Sequence, residues 1–158
     1  MNVIQVTQSE QVLEDQLVAQ LIGQSYGQVA VTDEATMLAN LKAQLEAFNG
    51  LTLTAGEFTK VLNHLTKSSG VFEKAKILRD RMKLTKEDGT IVYLEFFDSV
   101  NPLGNLYQVQ VAMNGGTYKN RYDVTILVNG LPLVQIEQKR LLEKVVDFVA
   151  TFIRGVAA

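Results

Sequence analysis

The stretch Asn120-Arg-Tyr-Asp-Val-Thr-Ile-Leu-Val-Asn-Gly-Leu-Pro-Leu-Val-Gln-Ile-Glu-Gln-Lys-Arg140 decides the fold. Two runs rich in β-branched and aliphatic residues flank Asn129-Gly130, a dipeptide suited to a tight reversal, so the segment reads as a hairpin. The interior of each run is almost continuously apolar, as in strands covered on both faces. Ionisable residues stand at the far ends, Asp123 on the first run and Glu137 with Lys139 on the second. Burying such groups without partners costs roughly several kcal/mol, so their clustering points either to mutual pairing or to a bound cation.

Spacing sets a condition on the second possibility. Glu137 and Lys139 are two apart and share one strand face, and folding back brings Asp123 alongside. For Asp123 to face the same way, opposed residues must have numbers summing to an even value, ideally 260, because a one-residue slip turns every side chain over. A two-residue turn at Asn129-Gly130 gives 259 instead. The site therefore requires a three- or five-residue connection, or a bulge that restores the parity.

Two carboxylates and the main-chain carbonyl of Gln138 form a set of hard oxygen ligands suited to Mg²⁺, for which Mn²⁺ can substitute. An ion there would activate water and polarise a phosphodiester, while Lys139 orients the nucleophile and offsets developing charge. The alternative is a salt bridge across the hairpin in an unrelated α+β protein.

Working outward, residues 9–23 place Val12, Leu13, Leu17, Leu21 and Ile22 at helical steps. A second helix is bounded by Asp33 and Asn49-Gly50, with Met37, Leu38, Leu41, Leu45 and Phe48 as its buried stripe. A third follows the Thr54/Glu57 capping box. After Lys67-Ser-Ser-Gly70 come short runs separated by turn residues. Strands are expected over Lys76–Thr85, Thr90–Phe97, Leu106–Met113, Tyr122–Val128 and Leu133–Gln138, with turns at Asp88-Gly89, Asn101-Pro102, Gly115-Gly116 and Asn129-Gly130. Leu141–Ile153 suggests a closing helix. The whole predicts a single α/β (α+β) domain over residues 1–158.

Composition narrows the chemistry. The 158 residues are 47% apolar with formal net charge −2, so any DNA contact must come from local patches. There is no cysteine, which removes disulfides and thiolate sites, and the single His64, expected at the surface or boundary, cannot build a multi-histidine zinc site. The start Met1-Asn-Val-Ile-Gln5 lacks a basic then apolar leader, and no stretch approaches about 18 apolar residues. The expectation is a soluble cytoplasmic protein with no membrane partner. Lys67, Lys74, Lys76, Arg79, Arg81, Lys83 and Lys86 form a basic cluster that suits either a solvated face or phosphate contacts.

Asp123 followed by Glu137-Gln-Lys139 resembles the PD-(D/E)xK nuclease motif, with Tyr122 in place of its proline. The flanking residues from Asn120 to Glu137 closely resemble the R subunits of type I restriction enzymes. Phe96-Phe-Asp-Ser-Val-Asn-Pro102, Val109-Gln-Val111 and Gln8-Ser-Glu-Gln-Val-Leu-Glu14 extend the resemblance, which covers about residues 8–140. It implies a restriction-endonuclease-like core with a mixed central sheet flanked by helices, and a type I site-specific deoxyribonuclease activity. It also implies Glu14, with Glu10 as fallback, near the metal. Lys119, Arg121 and Arg140 flank the site and are candidates for DNA-backbone contacts. The implied partners are DNA and the methylation and specificity subunits. ATP would enter only through motor domains, which this chain lacks along with a phosphate-binding Gly-Lys-Ser/Thr loop. Residues 141–158 depart from the family, whose next helix carries a Gln-x-x-x-Tyr motif. This leaves a catalytically silent DNA-binding or assembly module as the second expectation.

Overall fold

Asp33 opens the second helix through its own side chain. In the computed structural model, which describes residues 10–111 and 123–137, Asp33 is extended at the N-cap of α2 (Glu34–Asn49). Its carboxylate accepts from the Thr36 N–H, and the Thr36 hydroxyl accepts from the Asp33 N–H. Gly50 ends α2 in the left-handed conformation, φ 65°, which a glycine adopts without steric cost. α3 (Ala55–Thr66) starts at the expected Thr54/Glu57 capping box. Leu41 and Leu45 of α2 and Phe58 and Val61 of α3 are buried, as their spacing predicts. α1 (Glu10–Gly23) precedes them.

The strand expected over Lys76–Thr85 is half helix: α4 (Val71–Arg79) precedes β2 (Met82–Thr85). Val71-Phe-Glu-Lys-Ala-Lys-Ile-Leu-Arg79 contains several good helix formers and an i,i+3 pair between Glu73 and Lys76. Its short apolar stripe, Val71, Ala75 and Leu78, buries no residue fully, with Leu78 partly buried against the core. β2 pairs antiparallel with β3 (Ile91–Leu94) around the Asp88-Gly89 turn. Met82, Leu84 and Leu94 face a core shared with α2, α3, Phe96 and Leu131.

The remaining strands form a separate, mixed sheet in the order β1-β4-β5-β6. β1 (Gly27–Val29) runs parallel to β4 (Tyr107–Val111), while β5 (Asp123–Val128) and β6 (Leu131–Glu137) continue antiparallel. β1 was not expected, being three residues long and paired to a partner far along the chain. Val18 of α1, with Leu17 and Leu21 partly buried beside it, packs on Val109 and Val124, with Ile136 adjoining. The architecture is α+β, helices beside a mixed sheet, as the resemblance implies. A short 3-10 turn, Pro102–Gly104, stands at the expected Asn101-Pro102 turn. The Gly115-Gly116 turn and the closing helix lie outside the described residues. Among the described residues no helix is long and apolar enough to cross a membrane.

Candidate functional site

Asn129 and Gly130 reverse the chain between β5 and β6, with φ 52° and 83°. Positive φ at both positions is what a two-residue turn matched to strand twist demands. This turn is not a surface loop. Asn129 is fully buried, and its side-chain amide donates to the Phe96 carbonyl and to Asn105 Oδ1, each at 2.9 Å. Its Oδ1 accepts from the Leu106 N–H at 2.8 Å, and its own N–H donates to the Leu106 carbonyl at 2.8 Å. Asn105, also buried, accepts from the Asp98 N–H and donates to the Asp98 and Pro102 carbonyls. A Cβ on Gly130 would stand 2.8 Å from Leu41 Cα, so the missing side chain is what lets α2 approach the turn.

From this anchored end the ladder changes parity. Val128 opposes Leu131 and Leu127 opposes Pro132, pairs that sum to 259. The register then shifts, Leu133 is passed over, and Ile126 opposes Val134. From there every pair sums to 260, ending with Asp123 directly opposite Glu137. The two-residue turn and the even parity thus coexist through a bulge, the third of the options that the sequence left open. Pro132 sits beside the bulge on β6, the last strand of this sheet among the described residues, where a missing N–H is tolerated.

Asp123 and Glu137 are described through their backbone pairing. Gln138, Lys139 and Arg140, and also Lys119 and Arg121, lie outside the described residues. Glu14 is 1% exposed on α1, one turn before Val18. Beyond the C-terminal end of α1, Tyr26 packs on Tyr107 at 5.2 Å, so the helix's N-terminal half extends toward the Asp123–Glu137 end of the sheet. The positions that α1 covers are those of Val124 and Ile136, with which Asp123 and Glu137 alternate. Among the described residues no three His, Cys, Asp or Glu side chains gather into a metal-binding group. His64 is partly buried against Phe96, ring centroids 5.8 Å apart, and burial lowers its pKa. It is the boundary residue that its helix position suggests.

The residues that sequence reasoning missed are Asn129 and Asn105, which hold the hairpin in place. The available signal was the apolar sequence on both sides of the turn, Ile126-Leu-Val128 and Leu131, unusual around a solvated reversal.

Comparison with known proteins adds a family. Residues 7–150 match the model described as Type I restriction enzyme R protein N terminus. The chain is 44% identical over 142 residues to the SsaAORF53P endonuclease subunit of Staphylococcus saprophyticus, a match covering 85% of this chain and 15% of that protein. It is 42% identical over 140 residues to the SauMSSORF170P endonuclease subunit of Staphylococcus aureus, with 84% and 15% covered. The EcoprrI endonuclease subunit of Escherichia coli is 40% identical over 139 residues, with 84% and 44% covered. The chain therefore spans under half the length of these relatives.

Proposed function

Because the chain belongs to the family of type I restriction enzyme R protein N termini, we propose that it is the DNA-cutting domain of such a subunit, a Mg²⁺-dependent endonuclease that hydrolyses phosphodiester bonds. The observation that carries this is the bulge that brings Asp123 directly opposite Glu137. Opposed residues in an antiparallel ladder have Cα atoms about 4.5–5.5 Å apart, and like charges placed so destabilise the sheet. A divalent cation reverses that sign, and two carboxylates with a neighbouring carbonyl are donors that Mg²⁺ accepts.

Asp123 and Glu137 would hold the ion, with the Gln138 carbonyl adjacent in sequence. Bound there, Mg²⁺ supplies Lewis-acid polarisation of the scissile phosphate. Lys139, two residues beyond Glu137, would orient the attacking water and offset charge on the phosphorane-like transition state. Lys119, Arg121 and Arg140 would hold the DNA backbone nearby. Glu14, buried on α1, is a further candidate ligand, and the proposal does not depend on it. In the full-length protein the same domain would work with methylation and specificity subunits and with an ATP-driven motor.

The test is nicking of supercoiled DNA with Mg²⁺ or Mn²⁺. Wild type is expected to nick, and Asp123→Ala, Glu137→Ala and Lys139→Ala each to lose roughly 100-fold or more. A folded wild-type chain that never nicks with either ion contradicts the proposal and favours a silent DNA-binding or assembly module.

A further inference from the structure

Seven of the chain's fifteen Lys and Arg residues, but only two of its seventeen Asp and Glu, fall between Lys67 and Lys86. That segment has formal charge +5 within a chain of −2, leaving −7 for the rest. A face that serves solubility alone intersperses both signs. Here cations outnumber anions up to Lys86, Glu87 and Asp88 following at the turn, and the fold makes the basic segment a surface.

On β2, Met82 and Leu84 point into the core, while Lys83 and Thr85, and Arg81 just before the strand, alternate with them and are exposed. Lys83 opposes Tyr93, which is 60% exposed, and Thr85 opposes Ile91. α4 leads into this ribbon and exposes Lys74 and Arg79. Arg81 pairs with Glu95, Arg79 with Asp80 at 2.8 Å and Lys76 with Glu73 at 3.6 Å. These are solvent-exposed pairs, each weak enough to exchange for a phosphate.

We infer that the outer face of the β2–β3 ribbon, centred on Arg81, Lys83 and Tyr93 and continued by Lys74 and Arg79, docks the sugar-phosphate backbone of duplex DNA. Charge complementarity chooses the occupant. The face sets Arg81 and Lys83 against the single Glu95 around an exposed tyrosine whose hydroxyl can donate to a phosphate, and the acidic remainder of the chain disfavours other orientations. The ribbon is four paired residues long, about 13 Å, which suits a short run of phosphates beside a groove about 12 Å wide. The inference rests on the proposal that this chain acts on DNA, but it concerns a surface separate from the β5–β6 hairpin.

The experiment is fluorescence anisotropy of the whole chain with random-sequence duplex DNA over a salt series, in EDTA. The double variant Arg81→Gln/Lys83→Gln should lower the slope of log affinity against log salt by about 2. Raising salt from about 50 to about 200 mM should then weaken it roughly tenfold less than wild type. Glu95→Gln releases Arg81 and should tighten binding, a gain that misfolding cannot imitate. An unchanged slope in a folded double variant, or no tightening in Glu95→Gln, overturns the inference. So does tighter binding to polyglutamate than to DNA of equal charge, which assigns the face to an acidic protein. A chain whose slope falls as expected but which never nicks DNA with Mg²⁺ or Mn²⁺ sinks the nuclease proposal and leaves this surface standing.

Discussion

Gly89 in the β2–β3 hairpin and Gly130 in the β5–β6 hairpin share one backbone conformation, φ 84° and φ 83°, yet their surroundings are opposite. A Cβ added at Gly89 meets nothing within 4 Å, whereas at Gly130 it meets the backbone of α2. The first hairpin is a regular ladder lying on the core by one face, with a solvated turn. The second is fixed by its buried turn, and its bulge converts that turn into a different register at the far end. A turn held against the core can dictate register many residues away, which is how a sequence specifies the opposition of two carboxylate-bearing positions.

The contrast breaks most sharply at the glycines. Gly130→Ala adds left-handed strain to a backbone clash, costing about 3–5 kcal/mol. Gly89→Ala should cost only about 1–2 kcal/mol from the strain. Urea midpoints compare the two directly. Next, Asn129→Ala should lose about 2–4 kcal/mol, because the Leu106 N–H and Phe96 carbonyl are left without partners in a buried site. Asp88→Ala, which removes an acceptor for the Thr90 N–H in the exposed turn, should lose about 1 kcal/mol or less.

A smaller effect separates the two anchors by pH. The loop of the first hairpin is tied to α3 by Glu57, whose carboxylate accepts from the Glu87 N–H at 2.9 Å and the Thr54 N–H at 2.9 Å. These bonds, the Glu87 one foremost, lower the Glu57 pKa, with Lys86 nearby adding to the shift. A depressed carboxylate contributes stability that is full above its unfolded value and is lost as pH falls through its folded value. Thermal unfolding between about pH 5 and pH 3 should therefore show a steeper loss in wild type than in Glu57→Gln. Protection of the Glu87 amide should fall over that range while that of the Leu106 amide, held by the non-titrating Asn129, does not. Equal loss at both amides would remove the distinction.

Much of this was legible because it is local. The caps at Asp33 and Thr54 depend on side chains within three residues, and the parity condition on Asp123 and Glu137 follows from numbering alone. Which solution would be used was not legible, since a bulge at Leu133 depends on where Asn129 and Gly130 are pinned. α4 escaped because its apolar stripe, Val71, Ala75 and Leu78, is short and runs straight into the β2 strand pattern, and β1 because three residues gain strand identity only from pairing with β4. Glu14 was indicated by resemblance only, although it stands three, four and seven residues before Leu17, Val18 and Leu21 and so shares the buried face of α1, where it is 1% exposed.

Calorimetric titration of Mn²⁺ into the folded chain tests the opposition of Asp123 and Glu137 most directly. Wild type should bind one ion. Asp123→Asn and Glu137→Gln should each weaken it at least roughly tenfold, and Lys139→Ala, which removes no ligand, should keep it while losing nicking. Equal Mn²⁺ affinity in wild type and in both carboxylate variants would contradict a metal site on this hairpin.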